Sequence, residues 1–170
     1  MKAEQFSKNV LDLDPMIRFA GVMEKSGHLY AGIQREGTEE YLKGRSPEIS
    51  YTQSAYIVDL RKMFTQELGK LNTVAFLYDK VKLLSFPIMD HLLVVSAESA
   101  ANVDDLCEKI LSYIVTVENE LSLYPPGNIV SPEKKEILQN LHQSGISEEL
   151  IAEQLDLSVN TVKMLIAEIK

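Results

Sequence analysis

The run Pro125-Pro126-Gly127-Asn128 constrains this chain more than any other feature, because no regular element passes through it. Two consecutive prolines stop a helix, Gly-Asn favours a turn, and together they make a short, stiffened linker. The 170 residues therefore read as a domain over 1–124, a linker over 125–130 and a tail over 131–170. That length suits one to two domains, and an apolar fraction of 45% is enough for a real core.

The tail carries the sharper pattern. Ser131-Pro132 opens a first helix, a cap followed by proline at the first helical position, and Gly145 closes it. Ser147 then caps a helix whose apolar face holds Leu150, Ile151 and Leu155, with the small Ala152 beside them. After a short break Ser158 caps a last helix with Val162, Leu165, Ile166 and Ile169 turned inward. Helices that cross steeply need a small residue where their backbones meet, which suits Ala152. Three short helices with a tight turn before the third form a helix-turn-helix module, the geometry that lays a recognition helix in the major groove.

This run resembles the helix-turn-helix of LuxR-type regulators and of the promoter-reading domain of sigma factors. The matching residues are Ile151-Ala152-Glu153, Leu155, Leu157-Ser158-Val159, Thr161-Val162 and Lys163. It departs at Asp156, where glycine is usual, and at Asn160, where a basic residue is common. The resemblance implies DNA binding through Ser147, Ser158, Val159, Asn160, Thr161, Lys163 and Met164. Asn160 and Lys163, three apart, share an exposed face; Asn pairs bidentately with adenine, and Lys reaches guanine or a phosphate. Thr161 and the free amides near Ser147 suit phosphate oxygens. Charge opposes this reading: residues 131–170 hold 4 Lys/Arg against 7 Asp/Glu, and residues 1–130 hold 13 against 18. Affinity for DNA comes largely from neutralised phosphates, so a monomer should bind weakly.

In the first 124 residues, Phe6, Val10, Leu11 and Leu13 mark a helix ending at Asp14-Pro15. Ile17–Met23 and His28–Ile33 flank the turn Glu24–Gly27 as a hairpin. Residues 34–50 are polar and turn-rich, with one helical turn at Glu39–Leu42. Ile57, Leu60, Phe64 and Leu68 predict an amphipathic helix over Gln53–Leu68, stopped by Gly69. Three strands follow, Thr73–Tyr78, Val81–Phe86 and His91–Ser96, with Pro87 expected at a strand end or a sheet edge. A long helix over Ser99–Leu123 closes the domain, presenting Val103, Leu106, Cys107, Ile110, Ile114, Val117 and Leu121 on one face. The expected fold class is α+β, a five-stranded antiparallel sheet with helices, followed by the three-helix tail.

That order, with the phrase Ile17-Arg-Phe-Ala-Gly-Val…Gly27-His-Leu-Tyr-Ala-Gly32, resembles the roadblock/longin-like (profilin-like) fold. The phrase is also similar to one shared by small archaeal proteins. The resemblance implies dimerisation and scaffolding or GTPase regulation, and it assigns no functional residue.

Catalytic chemistry is missing. There is no glycine-rich phosphate loop and no Cys/His cluster, so no catalytic residue, metal or cofactor is expected. His28, His91 and His142 are scattered and read as surface or turn residues. Asp12/Asp14 sit at a helix end, and Asp104/Asp105 in a helix's first turn, where negative charge suits the macrodipole. Tyr30, Tyr51, Tyr56 and Tyr78 suit a core or an interface better than a ligand cleft. The single Cys107 excludes an internal disulfide framework. Neither a signal peptide nor the roughly 18 apolar residues of a membrane span is present, which points to the cytoplasm. The expectation is a DNA-binding transcriptional regulator whose N-terminal domain dimerises or senses. The alternative is a scaffold whose tail binds protein, with a GTPase or the transcription machinery as partner.

Overall fold

The computed structural model describes residues 1–121, 132–155, 157 and 159–169; for 132–135, 160, 161, 164, 168 and 169 only the backbone is described. The chain divides into two compact units, Met1–Leu123 and Tyr124–Lys170.

The first unit begins with α1 (Ala3–Asp12), followed by β1 (Ile17–Glu24) and β2 (Leu29–Gln34). Next come α2 (Ser46–Lys62), the single turn α3 (Thr65–Leu68) and three strands, β3 (Val74–Leu77), β4 (Val81–Ile88) and β5 (His91–Glu98). The helix α4 (Val103–Val117) ends in a tight turn at Glu118–Glu120. The five strands form one antiparallel sheet in the order β2-β1-β5-β4-β3.

The main core lies between one face of the sheet and α1 with α4. Phe6, Val10, Ile17, Val22, Phe86, Leu93, Leu106 and Ile110 are all buried there, and Phe6 stacks on Tyr113. A smaller core on the other face packs Ala55 and Val58 of α2 on Met23, Leu92 and Val94. Covered on both sides, β1 and β5 show no clean inward–outward alternation.

Several expectations need correction. No helical turn forms at Glu39–Leu42, and α2 begins at Ser46, with Pro47 in its first turn. The helix expected through Leu68 breaks after Lys62, and Leu60, Phe64 and Leu68 are exposed rather than buried. Gly69 does stop the segment, at φ +83°. The helix predicted from Ser99 starts at Val103, because Asn102 caps it by accepting from the Asp104 and Asp105 amides. Pro87 lies inside β4 and pairs with Leu92. The short β3 pairs only with Lys82–Ser85, so the missing donor of Pro87 falls where β4 has lost its outer neighbour. His91 is buried against the Tyr30 ring, not at the surface, and burial pushes its pKa down. Asp14 ties the loop after α1 to Lys109 at 2.5 Å; that ammonium and the Met16 amide hold its pKa below the usual value.

The second unit consists of α5 (Pro132–Gln143), α6 (Glu148–Leu155) and α7 (Val159–Ile169). Leu138, Ile151, Ala152, Leu155, Val162, Leu165 and Ile166 form its small core. Leu150, expected inside, is exposed. Gly145 closes α5 at φ +77°, and the Leu157 amide donates to Ala152 O at 2.9 Å. The linker residues 125–130, the cap Ser131, the turn residue Asp156 and the cap Ser158 lie outside the described residues.

Candidate functional site

Two features of the first unit carry chemistry, and both follow from α2. The first is a groove of about 820 Å³ between the N-terminal half of α2 and the sheet. It exists because α2 packs on the sheet through Ala55, Val58 and the Tyr51 ring, while Pro47, Ser50 and Ser54 line open space.

A β-bulge shapes the groove. Ile17 pairs with Ala97 and Phe19 with Ser96, so Arg18 is the extra residue and its side chain joins Phe19 on the α2 face. The Arg18 guanidinium is 5% exposed; it donates to Glu98 at 2.9 Å and to Glu39 O at 2.5 Å, and lies 4.5 Å from the Tyr41 ring centroid. One side chain thus fastens the 39–41 loop over the groove.

Phe19 lies flat on the backbone of two facing glycines. Gly21 and Gly32 are register partners, and a Cβ at either would come within 2.8 or 2.7 Å of Phe19 Cζ. Tyr51 of α2 stacks on the same ring, with centroids 6.3 Å apart. Burial, with Glu40 adding to it, pushes the Tyr51 hydroxyl's pKa up. This gives a physical reason for the Ala-Gly pairs in the strand phrase. The role of Arg18 was not legible, since a bulge leaves no mark in composition or periodicity.

The second feature is a second apolar face on α2. Tyr56, Leu60 and Met63 recur at spacings of four and three opposite the docked side, and Ile49, seven before Tyr56, continues the stripe to the rim of the groove. Met63 is 71% exposed, and Phe64 and Leu68 extend the apolar surface through α3. At the sheet's edge, β3 adds exposed Leu77, followed by exposed Tyr78.

In the tail, the Ser147 hydroxyl accepts from the Leu150 amide at 3.4 Å, at the start of α6. Val159 opens α7 and packs partly against the small core. Lys163 is exposed and faces Glu148 at 3.8 Å. The side chains of Ser158, Asn160, Thr161 and Met164 lie outside the described residues. Among the described residues no group of three or more His, Cys, Asp or Glu is placed to hold a metal ion. No described helix is long and apolar enough to cross a membrane.

The first unit has the roadblock/LC7 fold. A roadblock/LC7 domain from Streptomyces avermitilis superposes with a TM-score of 0.55 at 13% identity, covering 71% of this chain and 98% of that one. The gliding protein MglB from Thermus thermophilus gives 0.54 at 14% identity over 70% and 90%. An MglB with tetrameric arrangement gives 0.53 at 14% identity over 69% and 88%. The chain belongs to a family of unknown function (DUF6659), whose model matches residues 2–122. No curated protein matches it in sequence.

Proposed function

We propose that this protein is a non-catalytic interaction and regulatory module, in which the domain over 1–124 self-associates and holds a protein partner. The observation that carries the reading is the outward stripe Ile49, Tyr56, Leu60 and Met63. A helix already docked through one face has no use for a second apolar face unless something covers it. The short edge strand β3 offers unpaired backbone groups besides. The tetrameric arrangement of an MglB with the same fold supports self-association. The closing helix α4 is a poorer candidate, because it spends Leu106, Ile110 and Ile114 on the core.

Light scattering on the full chain at tens of micromolar tests the reading. Wild type is expected as a dimer or larger, and Leu60→Glu with Met63→Glu as a monomer of unchanged melting temperature. A monomeric wild type, or an assembly indifferent to the two charges, would refute it.

One observation keeps DNA as a second reading: the buried Ala152, next to which α6 turns towards α7. In this reading residues 131–170 form a helix-turn-helix domain that contacts DNA through Ser147, Ser158, Val159, Asn160, Thr161, Lys163 and Met164. The Glu148 carboxylate beside Lys163 weighs against it. Selection from random duplexes at low salt decides: an enriched sequence, lost with Lys163→Ala, supports DNA, and no enrichment leaves protein as the tail's target.

A further inference from the structure

A helix packed on a sheet ordinarily leaves few voids larger than a water molecule. Here about 820 Å³ stays open, within the roughly 300–1,000 Å³ of small-molecule sites. The floor is built from small polar side chains: Ser85 of β4 pairs with Val94, and Ser96 of β5 sits between Phe19 and Leu83. Ser54 of α2 faces them across the groove. Ser85 and Ser54 are 2% and 8% exposed, and neither hydroxyl has a hydrogen-bond partner among the described residues. Both hydroxyls open onto the groove rather than into packed protein, so a molecule lying in it can serve as their hydrogen-bond partner.

The other walls narrow its chemistry. The stacked Phe19 and Tyr51 rings supply a flat aromatic flank, with Leu83 and Val94 beside it. Arg18 is already matched by Glu98, so no free charge waits for an anion. At the mouth, Glu39, Glu40 and Asp79 outnumber Lys80 and repel one. We propose that this groove binds a flat, uncharged ring compound carrying a carbonyl or hydroxyl at its inner end, which hydrogen-bonds Ser85 and Ser54. Nucleotides and other phosphate or carboxylate ligands are excluded by the same charges.

The probe is Nile red, a neutral fused-ring carbonyl dye, titrated into the full chain and followed by fluorescence and by amide NMR shifts, with anionic anilinonaphthalene sulfonate as the charge control. Saturable binding is expected, with shifts centred on Ser54, Ser85 and Val94. Ser85→Leu should weaken it at least tenfold, and Leu60→Glu with Met63→Glu should leave it unchanged. If Ser85→Leu does not fold, Ser54→Leu makes the same test from the helix side. Shifts centred on the outward face of α2, equal affinity for the anionic dye, or loss of binding on self-association (a second copy filling the groove) would each overturn the proposal.

Discussion

The Arg18–Glu98 pair makes an unequal prediction about its two halves. Arg18 is 5% exposed and Glu98 39%. In Arg18→Met the flexible side chain keeps much of the stem's volume, and the freed carboxylate rehydrates. The losses are the charged hydrogen bonds to Glu98 and Glu39 O, about 1.5–3 kcal/mol each at most, and an arginine–aromatic contact of about 0.5–1 kcal/mol. Because Glu98 is already partly solvated, the total should be about 2–3 kcal/mol. In Glu98→Leu the buried guanidinium keeps its charge, since arginine does not deprotonate, and loses its counter-ion. That should cost about 3–4 kcal/mol, so the more exposed residue is the more damaging one to remove. The double variant should cost clearly less than the sum. Urea unfolding followed by tyrosine fluorescence reads this unit, because six of the seven tyrosines lie within residues 1–123. Melting points should fall by roughly 3–5 °C per kcal/mol. If Glu98→Leu costs under about 1 kcal/mol, or the two changes simply add, the guanidinium is not a buried charge and the reasoning fails.

Gly32→Val should destabilise the first unit by about 1–3 kcal/mol, because its Cβ would meet Phe19 Cζ at 2.7 Å and Tyr51 blocks the ring's retreat; thermal melting and near-ultraviolet dichroism would register both effects. His91 has a folded pKa below the ordinary 6.5, so its stabilising share is fully present above pH about 6.5 and is lost as pH falls below it. His91→Leu should flatten that slope in urea titrations between pH 7 and 5, whereas the Asp14–Lys109 pair acts lower, as pH drops below about 3.8. Ala152→Leu should overpack the small core of α5–α7 by about 1–3 kcal/mol; tail amide signals in NMR should collapse while those of the sheet remain, and a shared loss would show that the units do not fold separately.

The order of elements was legible because hairpin turns and apolar runs are local signals, and the β1–β2 and β4–β5 hairpins sit within a residue or two of where their turns place them. The faces were not. Ile57, Leu60, Phe64 and Leu68 read as a core stripe by spacing, yet spacing cannot distinguish a core from an interface, and the docked residues are the smaller Ala55 and Val58. Nothing in the sequence marks Arg18 as a groove residue; the extra residue in the β1–β5 pairing puts it there. His91 read as a surface group because its neighbour Tyr30 is sixty-one positions away in sequence. In the tail, Ala152, Ile151, Leu155, Val162, Leu165 and Ile166 were all recoverable, since a three-helix core is built from local periodicity.

The β1–β5 ladder has a consequence for synthesis. These two strands pair at the centre of the sheet, yet β5 begins sixty-seven residues after β1 ends. At about 5–20 residues per second, a nascent chain carries the β1–β2 hairpin with one bare edge for roughly 3–13 s before its partner is made. Throughout that interval Ile17, Val22 and Met23, all fully buried in the finished fold, lie on a strand open to pairing with any other unfinished chain. Overproduction should therefore generate aggregates seeded by this hairpin, and slowing elongation should worsen them, while a mature chain, its centre closed, stays clear of them.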